Sequence, residues 1–286
     1  MSIEVKNLHH IYSPGSPFER VALSDISFEI KEGEFVGVIG HTGSGKSTLI
    51  QHLNGLLKPN GGSVVVDGVD ISQKGVNMRE IRSKVGIVFQ YPEYQLFEET
   101  VYKDIAYGPK NMGLSDEEID YRVRHVASLV GLDEKYFDKS PFELSGGQKR
   151  RVAIAGVLAM NPKYLILDEP AAGLDPVGRD EILHRIKDLH KKEGLTVVLV
   201  SHSMEDIAKL AQKILVMSDG QLKMNDTVEN VFARSDELFE MGLNVPQACR
   251  VMQGLKENGL CINDKIYTVE KACKEILSYL GEVGKC

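Results

Sequence analysis

Residues 2–30 read as short strands. Ile3-Glu4-Val5 opens one, and from Leu23 onward the stretch Ala22 to Ile30 alternates apolar with polar positions, the period-two pattern of a strand with one face in a core. Gly33 marks a turn, and Phe35-Val36-Gly37-Val38-Ile39 then runs apolar without alternation, which predicts a strand buried on both faces of a parallel sheet. This strand leads directly into glycines. Beyond them Leu49, Ile50, Leu53, Leu56 and Leu57 recur at helical spacing, with Pro59, Gly61 and Gly62 expected to end the helix.

Three further apolar strands are predicted at Val85–Phe89, Tyr164–Leu167 and Thr196–Val200, separated by stretches long enough for crossover helices, so the core is α/β. From Pro92 to about Asn161 the pattern is mostly helical. Pro109 and Gly113 are expected to break one segment, and Ser115-Asp116-Glu117-Glu118 resembles a capped helix start. After Asp219-Gly220, a hairpin-type turn signal, amphipathic pieces around Val228–Phe239 and Val269–Leu280 predict a small appendage. No internal repeat or low-complexity segment interrupts this plan.

Composition narrows the function classes. A chain of 286 residues suits one large domain plus a tail. The 34 basic and 41 acidic residues leave −7 with no long run of either sign, which argues against a domain built to grip phosphate backbones. No 18 consecutive apolar residues occur, and Met1-Ser2-Ile3-Glu4-Val5-Lys6 lacks a basic-then-apolar signal pattern, so a cytosolic chain that meets membranes only through a partner is expected. Cys249, Cys261, Cys273 and Cys286 lie about a dozen residues apart without the short paired spacing of a zinc site, and they read as free thiols.

Gly40-His41-Thr42-Gly43-Ser44-Gly45-Lys46-Ser47-Thr48 fits the phosphate-binding pattern G-x-x-x-x-G-K-[ST]. Glycines let the backbone wrap an anion so that its N–H groups and the start of the following helix point inward. Lys46 would reach the β- and γ-phosphates of a nucleotide and the Ser47 hydroxyl would bind Mg2+. Chance produces such a match on the order of one time in a hundred in a chain of this length, and here it lies between a buried strand and a helix, as its chemistry demands. Tyr164-Leu165-Ile166-Leu167-Asp168-Glu169 ends an apolar strand in two carboxylates. Asp168 is placed to hold the metal and Glu169 to polarise the attacking water. Alone, such a pair is more often a surface turn; the phosphate loop upstream reverses the odds.

Leu144-Ser145-Gly146-Gly147-Gln148, followed by Lys149-Arg150-Arg151, is a second anion-binding device, with a hydroxyl and glycine N–H groups at a helix start. One nucleotide needs only one cradle. The segment resembles the signature of the ATP-binding-cassette (ABC) ATPases, in which Ser145, Gly146, Gly147 and Gln148 would reach the γ-phosphate of ATP held by another subunit. The resemblance covers roughly residues 2–225. It implies a P-loop core with an N-terminal antiparallel β subdomain, a helical signature subdomain at about 92–161, and a C-terminal domain at 226–286 expected to serve dimerisation. Residue by residue it makes Gln90 the Q-loop glutamine near Mg2+ and the γ-phosphate, Gly173-Leu174-Asp175 the D-loop at the dimer seam, His202 the switch histidine, and Tyr12 the aromatic that stacks on adenine. Glu169, His202, Lys46 and Gln90 are then the catalytic set, and Ser47, Gln90 and Asp168 the metal set. Ala171 departs from the family, which usually carries threonine or serine there.

Within that family, Tyr12-Ser13-Pro14-Gly15-Ser16-Pro17-Phe18-Glu19, Gly40-His41-Thr42-Gly43, His52-Leu53-Asn54-Gly55-Leu56 and Ala155-Gly156-Val157-Leu158-Ala159 resemble the second ATPase subunit of energy-coupling factor (ECF) transporters, bacterial importers of vitamins and of cobalt or nickel ions. The resemblance implies a related but different ATPase as partner, a transmembrane coupling protein facing Tyr91 to about Tyr107, a separate substrate-binding membrane protein, and a peripheral place on the cytoplasmic membrane face. An ATPase for another ABC importer remains the alternative. Machines of chromosomes or translation fit less well: fewer than a hundred residues separate Thr48 from Ser145, leaving no room for a long coiled coil, and the chain has one phosphate loop. A catalytically dead subunit is opposed by the joint presence of Lys46, Asp168, Glu169 and His202.

Overall fold

Two sheets organise the chain, and their strands read differently because only one sheet is covered on both faces. The computed structural model describes residues 1–283, so Cys286 lies outside the described residues. The first sheet is antiparallel, with β1 (Ser2–Tyr12), β2 (Arg20–Lys31), β4 (Gly61–Val66) and β5 (Val69–Asp70) in the order β2-β1-β4-β5. Along β2, Leu23, Ile26, Phe28 and Ile30 are buried and their neighbours lean to solvent. The second sheet contains β3 (Phe35–Gly40), β6 (Val85–Val88), β7 (Tyr164–Asp168), β8 (Thr196–Val200), β9 (Lys213–Ser218) and β10 (Gln221–Thr227), ordered β10-β9-β3-β8-β7-β6. Five of these run parallel and β10 returns antiparallel to β9. Asp219 and Gly220, both at positive φ, form the two-residue turn between β9 and β10, the conformation such a hairpin requires.

The unalternating apolar strands split by parity between two cores. Phe35, Leu165, Leu167, Val197 and Leu199 point to the side of the helices, whereas Val36, Val38, Ile166, Val198 and Val200 point to the antiparallel sheet. The helix after the glycines, α1 (Lys46–Leu53), fills the second core with Leu49, Ile50 and Leu53. It ends earlier than its apolar spacing suggests. Gly55 takes a left-handed φ of 69°, and the Leu56 and Leu57 amides donate back to the Gln51 carbonyl, closing the helix before Pro59. Leu56 is left exposed.

After α2 (Met78–Lys84) and β6 come α3 (Val101–Met112), α4 (Asp116–Val130) and α5 (Gly146–Leu158). Ile105, Ile119, Val123, Val126 and Val152 share one cluster there. Pro109 does not break α3, because it falls within its last turn and the helix ends three residues later at Met112, before left-handed Gly113. Ser115 caps α4 by accepting from the Glu118 amide, as its sequence indicates.

α6 (Pro176–Glu193) and α7 (Met204–Leu210) cover the same face of the parallel sheet. The C-terminal part contains α8 (Val228–Phe232), α9 (Ser235–Glu240), α10 (Gln247–Glu257) and α11 (Val269–Val283). Val228, Val231, Phe232, Leu238 and Cys249 join the main cluster, whereas Met252, Ile262, Ile266 and Ala272 form a small core between α10 and α11.

Candidate nucleotide site

The parallel strands deliver the site. Gly40 ends β3, Asp168 ends β7, His202 follows β8, Gln90 follows β6 and Asp219 follows β9, so all five chain exits lie at one sheet edge, where open α/β sheets bind ligands. Packing dictates the glycines. A Cβ on Gly40 would stand 2.4 Å from the Met217 carbonyl oxygen, and one on Gly45, at φ 101°, would stand 2.8 Å from that of Ala22. No other residue lets the loop turn so tightly into α1.

Lys46 begins α1 and is buried. Its Nζ donates to the carbonyls of Gly40 at 2.7 Å and His41 at 2.9 Å, which holds the ammonium inside the loop's curve. Burial lowers its pKa, opposed by the nearby Glu169 and Asp168 carboxylates. The Ser47 hydroxyl donates to Asp168 Oδ2 at 3.2 Å, and Ser44 Oγ is buried with no partner. Burial raises the Asp168 pKa against the lowering effects of Ser47 and Lys46.

Glu169 has a left-handed backbone, φ 51°, with its amide donating to Val200 O at 3.0 Å. A non-glycine residue held there is strained, and such strain concentrates at functional positions. Its Oε1 is buried without a hydrogen bond, 3.7 Å from His202 Nε2. Burial pushes this carboxyl up to about 7, with a further raise from Asp168. A group poised near neutral pH suits proton transfer. Partial burial and the Lys46 ammonium lower the pKa of the His202 imidazole, although its side chain remains about half exposed.

Beside the loop lies a cavity of about 390 Å3 walled by Tyr12, Arg20, Lys46, Thr48, Asp219 and Gly220, among others. Tyr12 ends β1, its hydroxyl 3.2 Å from Thr48 Oγ1 and its ring edge-on to buried His10, with 4.6 Å between centroids. His41, Thr42 and Gly43 form the exposed bend, with His41 Nε2 at 3.6 Å from Asp219 Oδ1. Arg20 and Asp219 were not visible as site residues in the sequence. Arg20 carries no motif, and Asp219 reads only as half of a turn.

The remaining expected residues lie elsewhere. Gln90 is exposed two residues past β6, at the same sheet edge. Ser145 caps α5 in a reciprocal box: its Oγ accepts from the Gln148 amide at 3.4 Å while its own amide donates to Gln148 Oε1 at 2.9 Å. None of Ser145, Gly146, Gly147 and Gln148 lines the cavity beside Lys46. Around Gly146 and Gly147 an added Cβ would meet nothing within 4 Å, so the chain's own packing does not require glycine there. Asp175 caps α6 by accepting from the Gly178 amide and is exposed.

Fold and pocket together define a P-loop nucleotide hydrolase. A match to the ABC transporter family spans residues 23–172. The energy-coupling factor transporter ATP-binding protein EcfA2 of Clostridium tetani is 61% identical over 278 residues, covering 97% of this chain and 96% of that one. The EcfA2 of Clostridium perfringens is 56% identical over 281 residues, covering 98% and 99%. Among solved structures, cbiO1 from Clostridium perfringens, part of the ABC transporter complex cbiONQ, superposes with a TM-score of 0.74 at 38% identity over 88% of this chain and 98% of that one. The dimeric post-hydrolysis state of the ATP-binding cassette MJ0796 bound to ADP and Pi gives 0.71 at 31% identity over 79% and 98%. The chain belongs to the ABC transporter family, among the ATP-binding proteins of energy-coupling factor transporters, and it is an ATPase.

Proposed function

We propose that this chain energises an ECF-type importer of vitamins or transition-metal ions by hydrolysing MgATP in a sandwich with a second, related ATPase. The observation that carries the sandwich is the bare signature: Ser145 and its two glycines stand at the start of α5 with open space around them and outside the pocket at Lys46. A set of γ-phosphate donors so placed serves a nucleotide on another chain. In this reading the loop from Gly40 to Thr48 cradles the phosphates, Tyr12 stacks on adenine, Glu169 is the base and His202 contacts the γ-phosphate. Asp175 lies at the seam between subunits.

The donors at the sheet edge fit Mg2+. Ser47 and Asp168 offer hydroxyl and carboxylate oxygens to each other at 3.2 Å, Gln90 stands at the same edge, and a hard cation takes oxygen ligands. Bound there, the ion neutralises charge on the β- and γ-phosphates.

In this reading the membrane partner seats on an apolar groove. Between α3, α5 and β6 runs an open groove lined by Leu56, Ile87, Phe97, Tyr107, Val157 and Met160, with Arg79 and Arg82 on its rim. Phe97 and Tyr107 meet edge to face at 4.8 Å, and both are exposed. Aromatic and aliphatic groups rimmed by arginine suit a protein interface. The segment Tyr91–Tyr107 is less uniformly a contact surface than its composition implies. It is a short 3-10 turn at Pro92–Gln95 followed by irregular chain and α3, and Leu96 and Val101 are buried in the core. No helix of the described residues is long and apolar enough to cross a membrane; in this reading the chain sits peripherally on the cytoplasmic face and meets the membrane protein through this groove. The C-terminal helices α8–α11 are assigned to dimer contacts.

The test is to measure ATP turnover by the isolated chain and by the chain co-expressed with a second ATPase and its polytopic membrane partner. Turnover should depend on the second cassette. Full turnover by the isolated chain as a monomer overturns the reading.

A further inference from the structure

Arg150 is the largest fully buried side chain of the protein, at 2% exposure, and no phosphate-binding role accounts for it. It lies on α5, five residues after Ser145, and spends its donors on two other loops. Nη2 and Nε donate to Glu93 Oε1 at 2.8 Å and Oε2 at 3.1 Å, in the turn that follows Gln90. Nη1 donates to the carbonyls of Pro170 at 3.1 Å and Ala172 at 2.6 Å, in the loop that follows Glu169. One guanidinium therefore ties the signature helix to the segments that follow Gln90 and Glu169.

Those two loops share a backbone peculiarity. Tyr91, at φ 54°, and Glu169, at φ 51°, are non-glycine residues in the left-handed region. Such a conformation persists only where the surroundings over-determine it. Arg150 grips the chain two residues after Tyr91 and one residue after Glu169. The loops also meet directly, since a Cβ on Gly173 would lie 3.6 Å from Tyr91 Cε1. A rigid planar fork with five N–H donors can serve a carboxylate and two carbonyls at once, whereas an ammonium is a single point charge on a flexible stem.

We propose that Arg150 is a positioning residue that holds Glu169 and Gln90 in register with the signature helix and so aims the Glu169 carboxylate. This inference rests on Glu169 being the base. Glu93, itself only partly buried, supplies the countercharge, and the carbonyl contacts carry the aim.

Arg150→Lys keeps the charge and loses the fork; Glu93→Gln keeps an acceptor and loses the countercharge. Alanine at position 150 is avoided because stripping one partner from a buried ion pair endangers the fold. Each variant is assembled into the complete transporter complex and measured for melting temperature, ATP affinity, KM and kcat, with Glu169→Gln alongside. Arg150→Lys should lower kcat at least tenfold while KM and ATP affinity stay within twofold, the signature of an interaction made in the transition state alone. Glu93→Gln should lose two- to fivefold, and the double variant should be no worse than Arg150→Lys, since the two act as one unit. Should Arg150→Lys fail to accumulate, the kcat loss in Glu93→Gln at unchanged KM decides the matter. Wild-type kcat in both single variants with an inactive Glu169→Gln overturns the positioning role while leaving the base in place. KM rising in step with lost kcat overturns it in favour of a merely structural pair. An active Glu169→Gln overturns the base and this inference with it.

Discussion

The Ser47 hydroxyl donates to Asp168 Oδ2 across 3.2 Å, joining positions 121 residues apart in the chain. In the proposed reading, a hydroxyl and a carboxylate brought so close at the mouth of a phosphate loop would hold the Mg2+ that accompanies the nucleotide. Asp168→Asn should therefore cut turnover by at least about 10²-fold, the order of effect for a group acting on the transferring phosphoryl. Chelating Mg2+ should abolish wild-type turnover. Turnover titrated against Mg2+ checks both, and turnover that persists in the chelator counts against the metal assignment.

Glu169→Gln should leave nucleotide binding intact, slow hydrolysis by about 10² or more and let the ATP-loaded dimer accumulate, since a positioned base contributes about that much. The same variant tests the burial of the carboxyl. Its ordinary pKa is 4.5 and the folded value is pushed up to about 7, so the unfolded chain loses this proton first as pH rises. Native stability thus falls between about pH 4.5 and 7 and gains no further penalty above. Melting curves of the nucleotide-free chain should show Glu169→Gln more stable than wild type at pH 8, with the gap closing toward pH 4.5. Equal melting temperatures across the range would count against a strained, buried carboxylate.

Gly147 faces open space within its own chain, whereas Gly45 is enclosed. Gly147→Asp should leave the melting temperature and the ATP affinity of the isolated chain within error of wild type yet lower turnover of the assembled complex at least tenfold. A parallel loss of affinity in the isolated chain would place the signature in its own pocket and dissolve the sandwich.

The groove between α3 and α5 predicts a separable defect. Phe97→Glu puts a charge among exposed apolar groups and touches neither Lys46 nor Glu169. Co-purification of the membrane partner should drop at least tenfold while ATP affinity is kept, and reversing the charges at Glu98 and Glu99 should weaken the same contact. Undiminished co-purification in both variants would move the docking surface elsewhere.

Much of this chain was legible as local pattern. The phosphate loop reads directly because its glycines, lysine and serine are contiguous, and the Asp168-Glu169 strand end reads because burial on both faces demands an unbroken apolar run. Local pattern failed where a neighbour decided the outcome. Leu56 and Leu57 keep helical spacing, but the left-handed Gly55, where a Cβ would clash with Met78 Cε at 2.1 Å, stops α1 first. Strand β5 has two residues and β10 carries mostly polar positions, so it is the hairpin pairing with β4 and with β9 that defines them.

By itself, then, the sequence determined the chemistry and the repertoire of parts: a nucleotide cradle, a carboxylate pair, a second anion device and an α/β core. The first three are runs of adjacent residues, and the core reads from the apolar runs of its strands, so each leaves a local pattern in the sequence. Tertiary structure alone decided that Arg20 and Asp219 wall the pocket, that Glu169 is buried and raised to about 7, and that Arg150 grips the loops after Gln90 and Glu169. These are properties of contact and desolvation. A residue's pKa and reach depend on what packs around it, and what packs around it comes from strands and helices that sequence order keeps apart and folding brings together.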